Sequence, residues 1–475
     1  MPLDGTMVKN LSYILFGNLA YQIASFFSII YLSRILGPGI FGIFNFAVAV
    51  VSYFTIFVTF GLDDFGILHV APNREHKNII SRVGNLLGLR LVIAIVCYTA
   101  LTLAVYLIPQ FYNNRILFLI LGLNLFISAF STEWFFIAVE KIHCVAISKA
   151  ASRLLYLVSI LVLVTSSDDI LLVASINILS GMIIAVALIF LFIRANKEFK
   201  IFFNIQQWSY ILRFNFPLSV ASIIGQIRMN ADLVILGFLV SSNNLGFYAA
   251  TLNLTNIGVL FCGLVRQVIF PKIIKSYQHG DFEKLRQINF IFIKYGVVIG
   301  LLIGFYGTFF ADKIILVFFG SKFIQAKPAL QIILWVVAVN FMGISLPHVL
   351  MTHNKKLYLL VNMYAGVINV ILNFILIPYL GIKGAAYSYL FSTLFWIFSC
   401  YYSICISNQL FPMSLSKIFT KPLFSFFVCS IFFILFDVRI SYIAIIFFTV
   451  IYLSALLATR HLSVSGIISD YKIIQ

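Results

Sequence analysis

Of the 475 residues, 62% are apolar and only 10% are charged, with a mean hydropathy of +1.06. This composition excludes a water-soluble globular domain and points to a chain that crosses a membrane many times. The net charge of +17 would suggest nucleic acid in a soluble protein, but here the basic residues stand in short segments beside apolar runs, where they set topology, and no nucleic-acid partner is expected.

The apolar runs are long and continuous, without the period-2 alternation of barrel strands, so they read as helices. Asp4 and Lys9 precede the first run with no small-residue cleavage site, which predicts a retained helix. With charges, Pro and Gly as boundaries, fourteen spans are predicted near residues 10–33, 40–61, 83–108, 115–138, 145–165, 170–193, 213–239, 245–271, 288–310, 328–350, 357–378, 384–406, 420–436 and 441–459. The last two are the shortest, and twelve spans with a peripheral tail is the alternative. The expected fold is an all-α polytopic membrane protein with an N-terminal six-helix lobe at 1–194, a cytoplasmic interfacial linker at 195–212, a second six-helix lobe at 213–408, and two further helices and a tail at 409–475. The lobes are expected to face a central cavity, as in transporters built from internal repeats.

Orientation follows from charge. With the N-terminus inside, 21 of the 32 Lys and Arg fall in cytoplasmic segments, 7 in external ones and 4 within spans, so both termini are expected in the cytoplasm. The halves echo each other faintly: Ser12-Tyr13-Ile14-Leu15 corresponds to Ser209-Tyr210-Ile211-Leu212, and Gly42-Ile43-Phe44 to Gly246-Phe247-Tyr248. Six cysteines stand singly in apolar segments, with no pattern for a disulfide or a metal.

The four intramembrane arginines are Arg90 in the third span, Arg153 in the fifth, Arg228 in the seventh and Arg266 in the eighth. A central charge costs about 2.5 to 3.5 kcal/mol on insertion scales, so such residues face a wet cavity or a partner. One reading is a basic cavity for an anionic headgroup such as a pyrophosphate, since the guanidinium fork donates two parallel hydrogen bonds to phosphate oxygens. The other is snorkelling, to which Arg266 near the end of its span is most open.

Asp232 follows Arg228 by four residues and reads either as a neutralised structural pair or as a coupling group whose protonation or ion binding frees Arg228. Ser222, Gln226 and Asn230 lie on a nearly opposite face, and one of the two faces is expected to meet neighbouring helices. Glu133, near the cytoplasmic end of the fourth span, is a candidate partner for Arg90 or Arg153. Asn362, Asn369 and Asn373 form a stripe along the eleventh span, as do Asn18, Gln22 and Ser25 along the first, for interhelical hydrogen bonds or sugar contacts. No cofactor is expected beyond H+ or Na+ as a coupling ion.

Several motifs carry a family likeness. Asn373 to Thr393, with Pro378, Gly381 and Gly384 at a tight turn, resembles the junction between helices eleven and twelve of the polysaccharide-transport (Wzx-type) flippases of the multidrug/oligosaccharidyl-lipid/polysaccharide exporter superfamily. Ser33-Arg34-Ile35-Leu36-Gly37-Pro38-Gly39-Ile40-Phe41-Gly42 resembles the turn between helices one and two, and Trp134 to Lys141, followed by Ser152-Arg153, resembles the stretch that closes helix four. Ile137 and Ala138 depart from the Gln and Gly common there. The resemblance implies a flippase, not an enzyme. It would export undecaprenyl-pyrophosphate-linked O-antigen or capsule repeat units across the bacterial inner membrane by alternating access, among membrane lipids and beside a polysaccharide polymerase and a chain-length regulator. A lipid II flippase or a multidrug exporter of the same superfamily is the alternative. A polymerase fits less well, because the longest external segment, Ala311 to Lys327, is short and poor in His and acidic residues.

Overall fold

A computed structural model describes residues 5–70, 79–196, 198–406, 415–435, 442–458 and 470. Among the described residues there are seventeen α-helices and no strand. Backbone polar groups within hydrocarbon find partners only inside a helix or a closed barrel, and these apolar segments take the helical solution.

Helix α1 (Gly5–Thr59) carries the first two apolar segments and bends between them at Gly37, where φ is 69°. Glycine tolerates that left-handed geometry, and Pro38, which has no N–H to lose, follows it. Then come α2 (Leu62–Val70) and α3 (Ile79–Leu107). The segment predicted as one span at 115–138 is divided into α4 (Arg115–Gly122), α5 (Asn124–Ala129) and α6 (Glu133–Ala138). The unit continues with α7 (Ile142–Leu163), α8 (Ile170–Asn196) and α9 (Ile205–Leu239), whose first turn is capped by the Asn204 side chain accepting from the Gln207 N–H.

Beyond these lie α10 (Ser242–Gln278), α11 (Phe282–Phe318), α12 (Lys327–Met342), α13 (Leu346–His353), α14 (Lys355–Leu380), α15 (Ile382–Ile406), α16 (Leu415–Leu435) and α17 (Tyr442–Ala458). Helices cover each of the fourteen apolar segments. Ten stretches among the described residues are long and apolar enough to cross a membrane, with 17–70 taken as one, and shorter apolar helices lie at 229–239, 420–431 and 448–457. Large apolar side chains such as Val96, Leu103, Val186, Phe374 and Phe398 stand exposed, as expected of helices bathed in lipid.

The chain divides into two compact units, Met1–Ala249 and Ala250–Gln475. The division falls inside α10, whereas the sequence places the change of lobe in the linker at 195–212. Helix α9 packs along α1 within the first unit.

Two glycine-based contacts organise the first unit. The linker lies on α3, where Gly84 and Gly88 leave room for its backbone: a Cβ at Gly84 would come within 1.9 Å of the Lys200 carbonyl oxygen and one at Gly88 within 2.2 Å of the Phe202 carbonyl oxygen. Asn85 locks it there, its Oδ1 accepting from the Asn204 N–H at 3.1 Å and the Trp208 indole N–H at 2.8 Å while its Nδ2 donates to Gln207 Oε1 at 2.8 Å. At the other contact the two echoed motifs meet. A Cβ on Gly246 would lie 1.8 Å from the Pro38 carbonyl oxygen, and one on Gly42 would lie 2.4 Å from that of Ser242.

In the second unit, Ile269, Leu301, Phe305, Trp396 and Tyr452 belong to one buried core. Its Asn373 to Thr393 junction is a packing corner: Gly381 takes φ 56°, and a Cβ on Gly384 would reach within 2.4 Å of the Leu376 carbonyl oxygen.

Candidate functional site

Within the first unit a cavity of about 290 Å³ opens among five helices, α1, α4, α5, α8 and α9. Ser52, Thr55 and Thr59 line it from α1, at a spacing that puts them on one helix face, and Asn124 of α5, Asn177 of α8 and Gln226 of α9 close it. Gln226 Nε2 donates to Ser52 Oγ at 3.0 Å. This contact decides between the two polar faces of the seventh span: the Gln226 face turns toward α1 and the cavity. Asp232 is buried elsewhere and accepts from the Tyr248 hydroxyl at 2.9 Å. Among the described residues, the six polar ones lining the cavity are neutral, offering hydroxyls and amides that suit a hydroxyl-rich ligand.

Among the described side chains, those of Arg90, Arg153 and Arg266 do not line this cavity. Arg90 is wholly buried and donates to Asp63 Oδ1 at 2.7 Å and to the Ser131 carbonyl at 3.3 Å. That carbonyl is exposed by the break between α5 and α6, so the guanidinium stabilises a discontinuous apolar segment while Asp63 balances its charge. Arg153 donates from Nε to Ser25 Oγ at 2.7 Å, and its guanidinium carbon lies 4.5 Å from the Tyr156 ring centroid and 5.6 Å from that of Tyr21. Arg228 lies on α9, but its side chain falls outside the described residues.

Arg266, in the second unit, reaches the end of α12. It donates to the Ile344 carbonyl at 3.1 Å and to Asn340 Oδ1 at 3.2 Å, beside the interruption between α12 and α13. Arg90 and Arg266 thus do similar work, each satisfying carbonyls that a broken helix leaves over. Glu133 pairs with Lys149 at 2.6 Å, not with the predicted Arg90 or Arg153. The reason is positional: Glu133 opens α6 on a half-exposed surface where the Lys149 ammonium of α7 can reach it, whereas Arg90 is enclosed with Asp63.

Residues 7–277 match the family described as "Polysaccharide biosynthesis protein". The chain belongs to that family. This family member is 25% identical over 206 residues to the capsular polysaccharide biosynthesis protein CapF of Staphylococcus aureus, a match covering 42% of this chain and 50% of CapF, so the alignment spans half the length of that relative. It is 23% identical over 372 residues to a protein of Escherichia coli (strain K12) named "Putative O-antigen transporter", covering 75% of this chain and 86% of that protein. Among solved structures it shares its fold with the lipid II flippase MurJ in an inward closed conformation, with a TM-score of 0.75 at 13% identity over 94% of this chain and 97% of the other. It also shares it with an inward-facing multidrug resistance MATE family transporter, with a TM-score of 0.63 at 14% identity over 82% and 95%.

Some polar groups of this family member escaped the sequence reading. Lys294, six residues into the ninth predicted span, is nearly buried and donates to Asp470 Oδ2 at 2.8 Å, with the Tyr295 hydroxyl donating to the same oxygen at 3.0 Å. Asp63 stands just past the end of the second span, and its proximity to Arg90 depends on how α2 folds back against α3. Of the asparagine stripe, Asn369 ties α14 to α15, its Nδ2 donating to Ser392 Oγ at 3.4 Å, while Asn373 Nδ2 donates to Asn369 Oδ1 at 3.2 Å and Asn362 Nδ2 to the Tyr358 carbonyl at 2.8 Å within α14.

Proposed function

We propose that this protein is a flippase that moves undecaprenyl-pyrophosphate-linked oligosaccharide repeat units of an O-antigen or capsule from the cytoplasmic to the periplasmic leaflet of the bacterial inner membrane. Transport proceeds by alternating access, is coupled to H+ or Na+, leaves both termini in the cytoplasm and involves no enzymatic step. Membership of the polysaccharide biosynthesis family carries this reading, supported by a relative named for O-antigen transport that aligns over most of its length. The cavity among α1, α4, α5, α8 and α9 supports it chemically, since its clustered hydroxyls and amides recognise sugar hydroxyls by hydrogen bonds that water would otherwise make.

Within this proposal the arginines divide. Arg153 is half-buried, donates one N–H to a serine hydroxyl and has donors left for a phosphate, so it is the substrate-binding arginine that the geometry favours, and Arg228 of the seventh span is kept as a second. Arg90 and Arg266 reach substrate only by leaving the carbonyls that they now cap. Asp232, buried against Tyr248, is the proposed coupling group, and Glu133 is kept as a charge partner through Lys149.

The test is deletion of the gene followed by mass analysis of lipid-linked saccharides, with complementation by variants. Accumulation of an undecaprenyl-diphosphate oligosaccharide, with loss of the surface polymer, is expected. Accumulated lipid II, or an unchanged lipid pool with normal surface polysaccharide, refutes the proposal.

A further inference from the structure

At the end of the first unit that the basic-residue bias assigns to the cytoplasm, a second cavity of about 260 Å³ lies between α2, α3, α6 and α9. Its walls are of two kinds. Phe65, Trp134 and Tyr210 contribute aromatic surface, while His69, Arg82 and Gln207 contribute hydrogen-bonding groups. The aromatic side is extensive: the Phe65 and His69 rings stack with centroids 3.9 Å apart, and Phe214 packs edge-on to both while stacking on Tyr210. Trp134 is buried beside this wall with its indole N–H unpartnered.

The rim is open to ligand. Tyr210 is 60% exposed, and both Gln207 and Arg82 are exposed. Arg82 commits one N–H to the His69 carbonyl at 3.1 Å, which fixes the guanidinium at the rim with further donors to spare. Gln207 accepts from Asn85 through Oε1, so its amide nitrogen is presented in a set orientation. The rim is also preorganised, because the Asn85 bonds and the Gly84–Gly88 groove hold the start of α9 against α3.

Aromatic faces suit the apolar faces of a pyranose, a fixed amide suits its hydroxyls, and a guanidinium suits phosphate oxygens. We infer that this cavity is a reception site for the glycosyl diphosphate headgroup of a lipid-linked saccharide, separate from the cavity lined by Ser52, Asn177 and Gln226. The inference rests on the flippase reading and adds a place where the headgroup is recognised before it crosses. Its position fits that order of events, since the ends of the second and fourth predicted spans and the starts of the third and seventh converge there.

The test is binding to the full-length protein in lipid nanodiscs, by calorimetry and by saturation-transfer NMR on the sugar protons. The probes are N-acetylglucosaminyl diphosphate on a short citronellyl chain, UDP-N-acetylglucosamine and methyl N-acetylglucosaminide. The lipid-linked probe is expected to bind most tightly, and Gln207→Ala/Tyr210→Ala is expected to weaken it at least tenfold. Arg82→Ala should weaken the diphosphate probes and leave the methyl glycoside unchanged. All three positions are exposed, so the variants should fold, which tryptophan emission and elution volume will check. Equal affinity in the double variant, no binding of the lipid-linked probe by the wild type, or tighter binding of the nucleotide sugar overturns the inference. A double variant that exports polysaccharide normally removes the site and leaves the flippase reading standing, whereas a deletion strain without accumulated lipid-linked saccharide removes the flippase reading itself.

Discussion

Replacing Asp63 by Asn removes the charge that faces the buried guanidinium of Arg90, and the structure says how much this should cost. Breaking a fully buried ion pair by deleting one partner costs about 3 to 5 kcal/mol, because a desolvated charge is left behind. Here the pair is lopsided. The Arg90 side chain is 0% exposed and that of Asp63 is 47% exposed, so water already screens part of the attraction. The asparagine oxygen can still accept from the guanidinium, and the expected loss for Asp63→Asn is therefore about 1.5 to 3 kcal/mol, the range of a hydrogen bond to a charged group. Arg90→Met keeps the volume but leaves the Ser131 carbonyl without its donor, an expected loss of about 1 to 3 kcal/mol. Once Arg90 is gone, Asp63 has nothing left to neutralise. The double variant should consequently resemble Arg90→Met alone, with a coupling energy equal to the whole Asp63→Asn loss, about 1.5 to 3 kcal/mol. The assay is denaturant unfolding of purified protein in detergent, followed by intrinsic fluorescence, with surface polysaccharide scored in parallel. Additivity of the two single losses within about 0.5 kcal/mol would refute the pairing argument. Wild-type stability of Arg90→Met combined with abolished export would refute the structural role and return Arg90 to the substrate.

Gly246→Ala places a methyl group against the Pro38 carbonyl, which is backbone and cannot turn aside, so export should fall sharply and the unfolding midpoint should drop, at a cost of about 1 to 3 kcal/mol; Gly263→Ala, which meets nothing within 4 Å, serves as the control in the same complementation and melting assays. Arg266→Ala should destabilise by about 1 to 3 kcal/mol by leaving the Ile344 carbonyl and the Asn340 side chain without this donor, as read by thermal melting in detergent; a variant as stable as the wild type would show that the interruption after α12 needs no cap. Asp470→Asn should lower the melting temperature by removing the counter-charge of the nearly buried Lys294, and Lys294→Met in the same background should restore part of the loss; no rescue would mean that the pair is not coupled.

Much of this protein could be read along one dimension. The lengths of the apolar runs met the thickness of a bilayer, and helices stand over each predicted segment, because backbone satisfaction in hydrocarbon depends on local hydrogen bonds and not on distant partners. The motifs at Ser33 to Gly42 and at Asn373 to Thr393 likewise predicted corners, since Gly37 and Gly381 accept the left-handed backbone that other residues resist and the neighbouring Pro38 and Pro378 interrupt a helix locally.

The partners of the polar groups belonged to the tertiary structure. In helices that are apolar on nearly every face, hydrophobic periodicity does not say which side meets protein and which meets lipid. Asp63 therefore could not be matched to Arg90, nor Lys149 to Glu133, nor Asp470 to Lys294, until packing fixed the rotation of each helix. The same holds for the seventh span, whose two polar faces were equivalent in the sequence until Gln226 met Ser52 and Asp232 met Tyr248. Composition alone determined that the chain would live in a membrane as a bundle of helices. Only side-chain packing decided which of its few polar residues hold broken helices together and which face a cavity, because in a medium without water each polar group settles on whatever partner the neighbouring helix brings within reach.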